Sequence, residues 1–280
     1  MPLFTAAFVV PRAKALARWR WLLPPLGVLW PLLLVWLALF ALLLLQRDLG
    51  LVLILGLALL AMLGVGSRHA GYPLYGLTLA GVGGWALLTW FSHGQRRIAA
   101  WSDPFADPTG AGWQVLQGLS GMYAGGLFGQ GFGEARPRYA PIAESDFIYA
   151  VIAEELGFAG SALLLVAFGV LLTRLVLIAA RARTGFGLVL GTGIASVLAV
   201  QTLLNLGGVT KDIPLTGITL PLVSHGGSSL LVVCASLGLM LAISDGGEPK
   251  PPPKRKASAP SGRTRKRASS ARPRRRATAG

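Results

Sequence analysis

The stretch LGLVLILGLALLAMLGVG, Leu49 to Gly66, runs without a charged residue or a strong hydrogen-bonding side chain. A soluble helix of this length shows a polar face at a 3.6-residue period, and this one has none. It is close to the ~20 residues a helix needs to cross ~30 Å of hydrocarbon, where backbone N–H and C=O groups must be answered within the segment. Blocks of the same kind lie at about 22–45, 72–92, 147–173, 186–209 and 227–243. They are too long and continuous for the alternating strands of a barrel. The chain is therefore expected to be all-α, a polytopic integral membrane protein with about six transmembrane helices.

Basic residues orient the spans, because they gather in short loops on the cytoplasmic side. Arg12, Lys14, Arg18 and Arg20 precede the first block, Arg68 follows the second, and Arg174, Arg181 and Arg183 separate the fourth from the fifth. With a basic C-terminal tail, every alternate connection is positive. Both termini are then cytoplasmic, and the long connection at about 93–146 faces outward. The organisation expected is a basic N-terminal segment at 1–21, a membrane domain at 22–245 and a disordered basic tail at 246–280.

The formal charge of +15 is concentrated in that tail, where 12 of the 26 Lys and Arg residues lie between Lys250 and Arg276 without an acidic partner. Nucleic acid is not the expected partner, because the tail has no aromatic residues for stacking. Contact with anionic lipid headgroups is the expectation instead. A lone Cys234 excludes an intrachain disulfide and a cysteine metal cluster, and His69, His93 and His225 show no ligand spacing, so no metal set is identified.

The outward connection carries Trp101, Phe105, Trp113, Tyr123, Phe128 and Phe132, together with the glycine-rich AGGLFGQGFGEARPRY at Ala124–Tyr139. This composition suits a lid or re-entrant segment resting on the membrane surface. Beyond it, PIAESDFIYAVIAEELG, Pro141–Gly157, sets four acids in and beside an apolar block. Asp146 either caps the fourth span with Ser145 or serves as a base, and the two roles are compatible. A helix N-terminus would lower its pKa, whereas burial or Glu144 would raise it.

Glu154 and Glu155 would lie ~12 Å along a helix starting near Asp146. At 100° per residue Glu154 is ~80° from Asp146 and Glu155 ~180°, so only Glu154 can share a cavity with it. Both can instead be locked in interhelical hydrogen bonds or ion pairs. Asp48 in QRDLG reads as a cap of the second span. Ser228 and Ser229 in SHGGSS, Ser224–Ser229, either cap the last span or hold a phosphate. The adjacent Ser224 and His225 cannot form a nucleophile–base pair. Gln201 and Asn205, four apart, are expected to make interhelical hydrogen bonds.

Four phrases stand in an order and spacing that resembles the SEDS family (shape, elongation, division and sporulation) of RodA- and FtsW-like proteins. They are QRDLG from Gln46, RRIAAWSDPFADPTGAGWQVLQGL from Arg96, GGLFGQGFGEARPRYAPIAESDFIYAVIAEELG from Gly125, and NLGGVTKDIPLTGITLPLVSHGGSS from Asn205. The resemblance implies an inverting peptidoglycan glycosyltransferase that polymerises lipid II on the outer face of the bacterial plasma membrane, beside a class B penicillin-binding transpeptidase. It implies that Asp146 is the catalytic base, or organises a divalent cation beside the lipid diphosphate. It also implies that Asp48 and Ser228 look toward the same outer cavity, and with them Arg97, Glu144, Glu154 and Ser229 are the candidate substrate-binding residues. Glu144-Ser145 replaces the His-Thr of many members, Arg47 a proline and His225 a tyrosine. Members typically have ten spans and the six here resemble the last six, so an N-terminal part is expected to be missing. Two other readings stay open: a lipid II flippase or transporter, suggested by the intramembrane Glu154, and an inactive fragment or scaffold, suggested by the missing spans.

Overall fold

Continuous apolar sequence that hydrogen-bonds its own backbone folds as helix, and in the computed structural model the regular structure of the described residues is all helical, with no strand among them. Those residues are 1–17, 26–68, 71–90, 92–134 and 145–246. Arg18, Arg20, His69, Glu144 and the tail from 247 onward, with its expected lipid contact, lie outside them. The helices are α1 (Pro2–Ala17), α2 (Leu26–Leu45), α3 (Leu49–Ser67), α4 (Gly71–Trp90), α5 (Ser92–Ser102), α6 (Trp113–Gly125), α7 (Ile148–Ala180), α8 (Gly185–Val209) and α9 (Gly227–Ser244). Helices α2, α3, α4, α7, α8 and α9 stand at the six apolar blocks. Among the described residues α3, α7, α8 and α9 are long and apolar enough to cross a membrane, and α2 is apolar from Leu29 to Leu45.

Two elements differ from the sequence reading. The segment at 1–21, grouped there by its basic residues, contains α1, in which Thr5, Ala6 and Val9 are wholly buried. The apolar face ahead of Arg12 packs on α3 and α8, and the Trp36 indole N–H donates to the Thr5 hydroxyl at 3.2 Å. The connection at 93–146, read as a lid or re-entrant segment, contains most of α5 and all of α6, with α6 packed on α7.

Helices α3 and α8 form the centre. In lipid, apolar burial between helices gives little drive, so close approach at small residues matters more. A Cβ on Gly193 of α8 would stand 2.5 Å from the Met62 sulfur of α3, so the glycine leaves the room that the Met62 side chain fills between these two helices. Met62, Ala6, Leu190, Ile194 and Ala195 share this core with Ala179 of α7.

Helix α7 has 33 residues, or roughly 50 Å at 1.5 Å per residue, longer than the hydrocarbon core. It is broken at Gly157, where φ is 68° and ψ is −167°. The break strips helical partners from nearby carbonyls and amides, and the glycine-rich loop after α6 supplies replacements. Gln130 and Gly131 donate to the Glu154 and Glu155 carbonyls at 3.0 and 3.1 Å, while the Phe158 and Ala159 amides donate to Gly126 and Leu127 at 2.8 and 3.0 Å. A Cβ on Gly157 would fall 2.3 Å from the Gly129 nitrogen, which is backbone and cannot yield.

Gly157→Ala is therefore expected to destabilise the protein by about 2 kcal/mol or more, through positive φ and the lost interlock. Gly169→Ala, on the same helix and in open space, is expected to be neutral or mildly stabilising. Thermal unfolding of the two variants in detergent micelles compares them directly.

Candidate functional site

The chain between α8 and α9 leaves the helix at Thr210 and runs without helical structure to Gly226. A non-helical backbone among apolar helices must find its hydrogen bonds from side chains. Helix α5 provides two donors. Trp101 donates its indole N–H to the Lys211 carbonyl at 2.9 Å, and Arg97 Nη1 donates to the Leu215 and Thr216 carbonyls at 3.1 and 2.8 Å. Helix α8 provides two more. Gln201 donates to the Thr219 carbonyl at 3.0 Å and Asn205 to the Ile218 carbonyl at 2.6 Å. Gln201 and Asn205 thus serve this segment, rather than the neighbouring helix to which their spacing pointed.

One of these donors, Asn205, and Ser224 from the irregular segment hold the turn that carries Asp146. Asn205 Nδ2 also donates to the Asp146 carbonyl at 2.8 Å. The Ser224 hydroxyl accepts from the Leu220 amide at 2.7 Å and donates to the Ser145 carbonyl. Phe147, 1% exposed, anchors the turn in the core, its ring lying where a Cβ on Gly118 of α6 would stand. Phe147 occupies the N-cap position of α7 and no side chain caps that helix. Asp146 therefore precedes the helix and is free to point elsewhere.

It points to a cleft of about 310 Å³ whose wall includes Arg96, Arg97, Trp101, Asp146, Lys211 and Gly217. Gly217, at φ 71°, is the floor: a Cβ there would lie 3.6 Å from Asp146 Oδ2 and 3.8 Å from Arg97 Nη2. Burial of Asp146 raises its pKa above the usual aspartate value, against smaller lowering effects from the Ser145 hydroxyl and the Arg97 charge. Three cations and one carboxylate line this cleft, so it favours an anionic ligand. Lys211 has φ 65°, a left-handed conformation that costs a non-glycine residue about 1 kcal/mol. Among the described residues no group of three His, Cys, Asp or Glu side chains gathers as a metal set would require.

The other residues singled out in the sequence lie elsewhere. Asp48 caps α3, accepting from the Leu51 amide at 3.0 Å. Glu154 turns to α6, where a Cβ on Gly121 would come within 3.0 Å of its Oε2. Ser228 is exposed and Ser229 half-exposed at the start of α9, which Gly226 precedes without any side-chain cap. Of the expected set, the cleft unites Asp146 and Arg97. Arg96, Trp101, Lys211 and Gly217 were not singled out as site residues, although all four lie inside the quoted motifs.

Residues 2–247 match the model of the FtsW/RodA/SpoVE family, described as cell cycle protein. The chain is 38% identical over 216 residues to the peptidoglycan glycosyltransferase RodA of Mycobacterium tuberculosis, covering 77% of this chain and 46% of that protein. It is 37% identical over 246 residues to the stage V sporulation protein E of Bacillus subtilis, covering 86% and 65%. A solved structure on the coordination of polymerization and crosslinking by a peptidoglycan synthase complex contains a chain that superposes with a TM-score of 0.66 at 32% identity, covering 88% of this chain and 69% of that one. The chain thus spans about half the length of the RodA relatives it matches.

Because the folded-state pKa of Asp146 is raised, its contribution to stability is complete below the unfolded pKa of about 4 and is lost as pH rises through the folded value. Asp146→Asn removes that loss. Its Tm is expected to exceed that of the native protein near neutral pH, with the gain shrinking as pH falls towards 4. Parallel thermal melts over this range check it, and a pH-independent difference would contradict the burial argument.

Proposed function

The chain belongs to the FtsW/RodA/SpoVE family of cell cycle proteins, and from that premise we propose that it polymerises lipid II into peptidoglycan glycan strands at the outer face of the bacterial plasma membrane. The observation that carries the reading is Asp146, a carboxylate of raised pKa set beside Arg97 in a cationic cleft. A group that must take a proton near neutral pH works best when its pKa is brought up towards the operating pH. A cleft with surplus positive charge suits a substrate whose leaving group is a lipid diphosphate.

In the proposed step the acceptor sugar hydroxyl loses its proton to an Asp146 carboxylate oxygen as its oxygen bonds to the donor's anomeric carbon. The bond from that carbon to the undecaprenyl diphosphate breaks, its electron pair leaving with the diphosphate, and direct displacement inverts the anomeric centre. Arg97 stabilises ionised Asp146 and keeps the Gly217 floor in place. The loop-charge pattern, with both termini cytoplasmic, would turn this cleft outward. A class B penicillin-binding transpeptidase is the proposed partner, supported by the solved synthase complex whose subject is both polymerization and crosslinking.

The transporter reading draws no support from Glu154, whose side chain faces α6. Asp146→Ala, in the full-length protein with its transpeptidase partner, is expected to lower glycan polymerisation from purified lipid II by roughly 10²- to 10⁴-fold. Gel separation of the glycan products measures it, and polymerisation at the native rate would remove Asp146 from the mechanism.

A further inference from the structure

Among the described residues, the side chains of two of the three cations in the cleft wall hold no backbone carbonyl, as the third does. Arg97 spends Nη1 on two backbone carbonyls. Arg96 is exposed and Lys211 half-exposed, both on the cleft. Lys211 occupies the first position after the α8 C-cap, Thr210, at φ 65°, where glycine is the residue that fits without strain. Its backbone is pinned there, with the carbonyl accepting from Trp101 at 2.9 Å and the amide donating to Gly208 at 3.4 Å. The neighbouring carboxylate of Asp212 is exposed and takes the Thr210 hydroxyl.

Arg47 and Arg68 also have positive φ, at the ends of α2 and α3, so a basic residue after a helix can serve simply to satisfy the last carbonyls and the dipole. Lys211 differs from both in lining the cleft that holds Asp146. We propose that Lys211 is an anion-binding residue which, with Arg96, holds the diphosphate of a prenyl-linked substrate, and that its strained conformation is kept because it aims the ammonium into the cleft. A lysine is a compact point charge that suits a phosphate group. The charge surplus alone calls for an anion, and the identity of that anion as a lipid diphosphate rests on the function proposed above.

The test uses the purified protein in phosphatidylcholine nanodiscs, free of competing anionic lipid, with radiolabelled farnesyl diphosphate as the probe and farnesyl monophosphate as the comparison. Lys211→Gly is expected to weaken diphosphate binding roughly tenfold, about 1.4 kcal/mol. It should also narrow the preference for diphosphate over monophosphate and leave Tm unchanged or higher. Lys211→Arg is expected to bind near the native level. Native affinity in Lys211→Gly, or no binding by the native protein, overturns the proposal. So does a fall in the Tm of Lys211→Gly, which would make the lysine a helix-end stabiliser. The two readings fail separately. Lys211-dependent binding in a protein that polymerises nothing overturns only the polymerase, and polymerisation that needs Asp146 while Lys211→Gly binds normally overturns only this inference.

Discussion

A chain that leaves helical structure among apolar helices must answer its own backbone, and the stretch from Lys211 to Leu220 is where this protein meets that constraint. Its carbonyls are taken by Trp101 and Arg97 from α5 and by Gln201 and Asn205 from α8, while the Leu220 amide is taken by Ser224. An unanswered buried carbonyl or amide costs about 1–3 kcal/mol, so these side chains have little freedom to move. Two of them, Asn205 and Ser224, reach onward to the turn at Ser145–Phe147. The catalytic candidate Asp146 is thereby located by bonds whose first purpose is to make an irregular backbone tolerable.

The Gly157 break in α7 is the same problem solved with main chain alone. The loop at 126–131 exchanges four backbone bonds with the two sides of the break. This ties the loop after α6 to α7 at residues 154–159. The turn bearing Asp146 is clamped on one side by the buried ring of Phe147 set against Gly118 of α6 and on the other by the Asn205 and Ser224 bonds. The raised pKa of Asp146 follows from burial of its carboxylate beside this turn, which outweighs the lowering by the Ser145 hydroxyl and the Arg97 charge.

Much of this was legible in the residues. Apolar runs such as Leu49–Gly66 announced helices because nothing else satisfies backbone in hydrocarbon, and Asp146 drew notice as a carboxylate at the end of such a run. Helix α1 was less visible, since Arg12 and Lys14 outweighed the short apolar face of Thr5, Ala6 and Val9, whose burial depends on α3 and α8. Glu154 was placed by assuming a helix continuous through Asp146, whereas α7 starts at Ile148 and the loop after α6 fixes how its first turns face. Lys211 carried no local signal: one lysine in an outer connection looks solvated, and only the fold shows its left-handed backbone and the cleft beside it. The four motif phrases brought the chemistry through family likeness, which no periodicity could supply.

Arg97 joins the structural and the chemical demands in one side chain. The guanidinium is planar, with donors in a fixed fork, so bonding two successive carbonyls through Nη1 also dictates where Nη2 stands, beside Gly217 and near the Asp146 carboxylate. Lysine at this position would carry the charge but could not hold both carbonyls and keep that charge in place. The electrostatic support of Asp146 and the integrity of the 215–217 floor are therefore inseparable at this residue. Loss of activity on changing Arg97 would report the fold of the floor as much as the chemistry above it, whereas Asp146 spends its carboxylate on no backbone bond and reports the chemistry more directly.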